Sequence, residues 1–166
     1  YMLINYDFIN HNRVYVLGSS NGGYMAYRLS CDLSHRITAF TSVIGNMFLE
    51  DDGYDCTDQG RDIPILHIHG TEDPINSYYP GGNSVDILGD QYLTIIESIE
   101  FWSDYHQYDL IEIDTILTDV SIRYTYSNNS AASNFEHVKV IGGGHIYFYG
   151  DNYGFSSTQE AIDYSL

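Results

Sequence analysis

Short apolar runs alternate with helical stretches along this chain. Val14 to Leu17 is continuous and apolar, the pattern of a strand buried on both faces of a parallel sheet. After a cluster of glycines, Tyr24, Met25, Tyr27, Arg28, Leu29 and Cys31 predict a helix of about three turns. Ile37 to Ile44 is rich in β-branched residues and reads as a second strand. Ile63 to His69 reads as a third, ending in the turn-forming Gly70-Thr-Glu-Asp73-Pro74. Tyr92, Ile95, Ile96, Ile99, Trp102 and Tyr105 recur at helical spacing and predict an amphipathic helix whose Trp102 stripe is core packing. Ile122 to Tyr126 and Glu136 to Ile141 are strand-like, separated by a polar Asn/Ser/Ala loop, and a short helix closes the chain near Ser157 to Tyr164. Tyr1 to Asn10 looks like the tail of a helix, Glu50 to Arg61 and Asn76 to Asp90 look like loops, and Asp109 to Asp119 is ambiguous. Strands alternating with helices predict one α/β domain over residues 1–166, a mostly parallel sheet with helices on both faces.

Charge narrows the partners. The 166 residues carry 23 acidic against 6 basic side chains, a formal net charge of −17. Such a surface repels phosphate backbones and anionic lipid, so nucleic acid and membrane are not expected partners. No apolar stretch approaches the length of a membrane span, and no signal-peptide pattern is visible. An acidic surface chiefly keeps a protein soluble; a calcium role has only the weak cluster Asp51-Asp52-Gly53-Tyr54-Asp55 to rest on. Cys31 and Cys56 are the two cysteines. Paired, they close a loop of roughly 25 residues, for which chain entropy gives on the order of 3 kcal/mol.

The chemistry gathers at three places. Ser20 is the centre of Gly18-Ser19-Ser20-Asn21-Gly22, a G-x-S-x-G pentapeptide between a predicted strand and a predicted helix. That context predicts a sharp, strained turn presenting the serine hydroxyl, with Gly18 and Gly22 required because a Cβ at either would collide. Serine needs a base to take its proton, most often a histidine oriented by a carboxylate. Asp73 follows the third strand and His145 the last, so the chain order is Ser20, Asp73, His145, each beyond a predicted strand end. Glu72, Asp86 and Asp90 are rivals for the acid, and Asp before Pro is also a common structural turn residue. His67 and His69 share one face of their strand, as half of a metal site or, more simply, as hydrogen-bonded packing residues. Neither a metal nor another cofactor is expected.

These motifs carry a resemblance. The blocks Arg13 to Cys31, Pro64 to Asn76 with Tyr78-Tyr79-Pro80-Gly81-Gly82, and Val138 to His145 before a C-terminal helix resemble the polyhydroxybutyrate depolymerase and feruloyl/acetyl-xylan esterase family, the LpqC-like esterases. The resemblance runs from about Asn12 to the end of the chain. It implies an α/β-hydrolase fold and a serine esterase with Ser20 as nucleophile, Asp73 as acid and His145 as general base. Asn21 would offer its backbone N–H to the oxyanion. Tyr78, Tyr79 and Tyr147 are candidate substrate-lining residues on the loops after the acid and the base. The implied substrates are small or polymeric esters (polyhydroxyalkanoate, feruloyl or acetyl-sugar), and the implied location is extracellular. The family carries an upstream strand and loop that supply a second oxyanion donor. That strand is not found in this chain, which therefore reads as the C-terminal portion of a longer esterase. The family's tryptophan after the histidine is replaced here by Ile146, Tyr147 and Phe148, and the cysteine often found after Trp102 is missing. The contrasting reading is a non-catalytic acidic module that binds polysaccharide or calcium through its tyrosine- and aspartate-rich loops.

Overall fold

A computed structural model describes residues 9–47, 62–81, 92–115, 119–128, 134–149, 153 and 155–165. Its strands are β1 (Tyr15–Ser19), β2 (Ala39–Val43), β3 (Ile65–Gly70), β4 (Asp109–Thr115), β5 (Ser121–Ser127) and β6 (Phe135–Val140). They form one sheet in the order β1-β2-β3-β6-β5-β4. β1, β2, β3 and β6 are mutually parallel, so their carboxyl ends lie along one rim. β5 and β4 extend the sheet antiparallel beyond β6. The ambiguous stretch from Asp109 is a strand, paired with β5 and carrying a register shift between Leu110 and Glu112. Such a shift breaks the two-residue alternation that pattern reading relies on.

The helices among the described residues are α1 (Asn21–Leu33), α2 (Ile95–His106) and α3 (Ser157–Ser165). Strand alternation divides the apolar residues into two cores. On one face Phe40, Ile65 and Phe135 pack with Ala26 and Tyr27 of α1 and with Ile95, Ile99 and Trp102 of α2. On the other, Val43, Leu66, Ile68, Val138 and Val140 pack with Phe148 and Phe155, against which Tyr164 of α3 is laid. Helices thus cover both faces, as expected. The apolar stripe that began at Tyr92 enters its helix only at Ile95, because Thr94 caps it. The Thr94 N–H donates to Glu97 Oε2 (2.8 Å) while the Glu97 N–H reaches Thr94 Oγ1 (3.5 Å), a reciprocal capping box.

β1 departs from expectation. A strand buried on both faces was predicted, yet Leu17 is 45% exposed. Leu17 pairs with Thr41 and so lies on the α3 side of the sheet. α3 packs over β2 and β3 and leaves this end of the face uncovered. Val16, on the opposite side, does pack against the α1 core. Among the described residues β1 pairs only with β2, which makes it an edge. Of the predicted helix tail Tyr1 to Asn10, residues 1–8 lie outside the described residues and Ile9 and Asn10 are not helical; the Asp51–Asp55 cluster and Cys56 also lie outside the described residues. Cys31 itself is disulfide-bonded.

Candidate active site

At the rim, the turn after β1 places Ser20. The Ser20 N–H extends the β1–β2 ladder by donating to the Val43 carbonyl (2.9 Å), and the next residue already begins α1. Strand must become helix at a single residue, and Ser20 absorbs the change at φ 50°, ψ −117°. A non-glycine residue at positive φ stores strain of about 1–3 kcal/mol. Ser20 stands at the helix N-cap but makes no capping bond with its side chain. Its carbonyl instead accepts from Gly23 and Tyr24 (2.8 and 3.2 Å), and Oγ points to His145. The turn can be this tight because Gly18 has no Cβ: one placed there would lie 1.9 Å from the Gly22 carbonyl oxygen. Gly22 corrects the expectation, since a Cβ there would meet nothing within 4 Å. The second glycine that sterics demand is Gly23, whose Cβ would lie 2.8 Å from Gly45 Cα and 2.5 Å from Ser42 Oγ. Gly22 contributes its carbonyl to the crowding, whereas its own Cα faces open space.

Asp73 lies three residues beyond β3, its side chain buried. Oδ1 accepts the N–H groups of Ile75 and Asn76, both at 2.9 Å. Oδ2 lies 2.8 Å from His145 Nδ1 and 3.1 Å from His69 Nε2. Burial pushes this carboxyl up. The His69 hydrogen bond, the Asn76 N–H and the His145 hydrogen bond outweigh that cost and bring it down to about 2. The group is therefore a carboxylate at neutral pH.

His145 follows β6 by five residues, with its side chain 15% exposed. Nδ1 faces the Asp73 carboxylate, an acceptor, so Nδ1 carries the ring proton. That leaves Nε2 bare to accept from the Ser20 hydroxyl, 2.8 Å away. Hydroxyl, imidazole and carboxylate are thus in line, with residues 125 and 72 positions apart in the chain brought into hydrogen-bond contact. Such a relay can draw a proton from an alcohol and hold the resulting imidazolium.

Other candidates fall around this centre. Asn21 opens α1, so its N–H is among the amides a helix leaves without an intrahelical acceptor. Tyr79 and Tyr147 are exposed (51% and 40%), as substrate-lining residues need to be. Tyr78 is buried and its hydroxyl bonds His137 Nε2 at 2.7 Å, so it packs behind the acid loop. Glu72, the nearest rival for the acid, uses its N–H to reach the Gly143 carbonyl (2.9 Å); Asp86 and Asp90 lie outside the described residues. No helix among the described residues is long and apolar enough to cross a membrane.

Sequence reasoning missed Asn76. It is buried and ties the Asp73 loop to α1 and to the turn after β2. Its side chain accepts from the Tyr24 hydroxyl of α1, and Nδ2 donates to the Ile44 carbonyl beyond β2 (2.6 Å). An Asx residue three places after a candidate acid is a faint signal, and its partners become visible only in the fold.

The paired histidines are buried, with strong polar ties. His67 Nδ1 bonds the Tyr27 hydroxyl at 2.9 Å, and His67, His69 and His137 are all buried on the α1 and α2 side of the sheet. Among the described residues no group of three or more His, Cys, Asp and Glu is placed to hold a metal ion. Burial, then the neighbouring histidines, pull His67 well below its usual value. His137 is brought down to about 3, chiefly by burial. An unfolded chain would protonate both near 6.5, so acid favours unfolding: stability drops as pH falls below about 6.5. Asp73 adds to the loss as pH falls from its unfolded value towards 2. The melting temperature is accordingly expected to decline steadily from pH 7 to pH 4. A Tyr78→Phe/His137→Leu double variant, which replaces a buried polar pair with apolar groups, should show a shallower decline in the same calorimetric series.

Residues 3–118 match the family described as Phospholipase/Carboxylesterase, a span that includes Ser20 and Asp73. A bifunctional acetylxylan esterase/xylanase from Neocallimastix patriciarum is 34% identical over 71 residues, covering 42% of this chain. The match spans 10% of that relative's length. With the parallel sheet and its helices, the family match makes this an α/β-hydrolase fold.

Proposed function

Because the chain belongs to the phospholipase/carboxylesterase family, we propose that it is a serine carboxylic-ester hydrolase working through Ser20, His145 and Asp73. The observation that carries this reading is the pair of 2.8 Å contacts on either side of the His145 ring. His145 Nε2 takes the Ser20 proton as Oγ attacks the ester carbonyl, and the Asp73 carboxylate stabilises the imidazolium so formed. The Asn21 N–H, at the positive end of α1, supports the developing oxyanion. His145 then hands its proton to the departing alcohol, leaving an acyl-serine. Water, activated by the same imidazole, releases the acid and restores the hydroxyl.

The substrates proposed are esters of acetylated or feruloylated sugars or of polyhydroxyalkanoate, met outside the cell. Partial likeness to an acetylxylan esterase/xylanase favours the acetyl-sugar class. Tyr79 and Tyr147 supply exposed rings on the loops after the acid and the base, suited to stacking on a sugar or a hydroxycinnamate. Two measurements test the proposal. A fluorophosphonate probe should label the protein at Ser20, located by peptide mass spectrometry. Acetate release from acetylated xylan should then exceed ferulate or 3-hydroxybutyrate release from the corresponding esters. An unlabelled protein that instead gains thermal stability from calcium or a glycan would replace this reading with the binding-module one.

A further inference from the structure

His69 is the last side chain of β3, completely buried, and lies four residues before Asp73. One of its nitrogens, Nε2, faces two acceptors at once: the Asn76 carbonyl at 3.0 Å and Asp73 Oδ2 at 3.1 Å. With only acceptors opposite, Nε2 must carry a proton, shared in a three-centred arrangement. Nδ1, at the back of the ring, has no hydrogen-bond partner among the described residues. His67 and Tyr78 flank the ring with centroids 5.5 and 6.3 Å away. Asp73 Oδ2 thus stands between two imidazoles, one buried and one catalytic.

Resting on the hydrolase reading above, we propose that His69 is a positioning residue, which holds the Asp73–Asn76 turn and divides Asp73 Oδ2 between itself and His145. The physical reason is competition for one oxygen. Each extra donor spreads the carboxylate's negative charge and lessens its pull on the His145 Nδ1–H. Without His69, Oδ2 would bind that proton more strongly and stabilise the imidazolium. His145 would then stay protonated to higher pH, and the free enzyme would lose its base sooner on acidification. The other titratable neighbours of His69 are His67 on β3, His137 on β6 and Tyr78 on the acid loop, with Lys139 above the Tyr78 ring. Their hydrogen bonds run to Tyr27 and to one another, whereas His145 bonds only Ser20 and Asp73 among the described side chains.

Three substitutions test this. His69→Phe keeps the ring and removes the donor, and His69→Asn remains polar but is too short to reach Oδ2. His69→Gln places an amide N–H near the original Nε2. The pH profile of kcat/KM for p-nitrophenyl acetate should show its acid limb moved upward by about half a unit or more in the Phe and Asn variants, with kcat about tenfold lower and KM little changed. The Gln variant should return both towards wild type. A purely structural role for His69 would lower the melting temperature and activity without moving the acid limb, and that result overturns the inference. Proton NMR gives a reading that needs no turnover: the downfield His145 Nδ1–H resonance should shift in the Phe and Asn variants and stay in place in Gln. A resonance indifferent to all three also overturns it. A wild-type protein with no hydrolysis and no probe labelling, but with the NMR response intact, would instead count against the hydrolase reading alone.

Discussion

Ser20→Ala and His145→Ala are each expected to lower ester turnover by about 10⁴-fold or more while leaving the melting temperature within a few degrees of wild type. Ser20 Oγ and His145 Nε2 are each other's partners at 2.8 Å, and the serine makes no cap bond for α1 that its loss would remove. Alanine at 20 therefore deletes the nucleophile at the cost of one part-buried hydrogen bond, that to His145, and it still has to adopt the same positive φ. Alanine at 145 costs somewhat more stability, because the Asp73 carboxylate loses one of its donors. The double variant should be no slower than either single one. Nucleophile and base act as a unit, so removing the second member of a broken relay has little left to remove. Residual hydrolysis would come from the oxyanion donors and from binding. The measurements are p-nitrophenyl acetate kinetics and calorimetry on all three variants. Unchanged turnover in either single variant would falsify the assignment of this triad.

Much of this candidate site is legible in the sequence, because its three residues sit at element junctions that sequence marks well. Ser20, Asp73 and His145 each follow an apolar strand, and glycines adjoin the serine and the histidine. The strands of the parallel core were visible because their apolar runs are short and bounded by turn residues, and the amphipathic helix through Trp102 because its apolar residues recur at three- and four-residue spacing. What pattern could not carry was the environment of each element. Val14 to Leu17 has the composition of a central strand, but its burial depends on which elements reach over it, and α3 stops short of Leu17. β4 was hidden by a register shift that interrupts alternation. Gly22 looked indispensable from the motif, although crowding falls on Gly18 and Gly23, because only a folded turn decides where each Cα hydrogen points. His69 was read as one of two equivalent strand histidines. Its contact with Asp73 depends on the path of the turn through Asn76, which no local spacing specifies.

Gly70→Ala is expected to cost about 1–3 kcal/mol of stability or more, and to reduce activity by at least about 10²-fold even where the protein remains folded. Gly70 ends β3 and Gly143 lies in the turn after β6, so they begin the loops that carry Asp73 and His145. A Cβ on Gly70 would lie 2.1 Å from the Gly143 carbonyl oxygen and 2.3 Å from its carbon. Those are backbone atoms, which cannot swing aside as a side chain would. They are also tied: the Glu72 N–H donates to that same Gly143 carbonyl, the Thr71 N–H to Val140, and the Gly142 N–H to Thr71 Oγ1, all at 2.9 Å. Relief of the clash must spread the loops apart. Asp73 lies three residues beyond Gly70 and His145 two beyond Gly143, so the 2.8 Å contact between them is the first functional distance to open. Misplacing catalytic groups by about 1 Å costs on the order of 10²-fold, which is why activity should suffer beyond what lost stability explains. Gly22→Ala is the matched control, with open space where its Cβ would go and a helix position that favours alanine by about 0.5–1 kcal/mol. It should melt at or above the wild-type temperature. If Gly70→Ala proves as benign as Gly22→Ala in both melting and turnover, the loops that carry Asp73 and His145 are not held together by this close backbone contact.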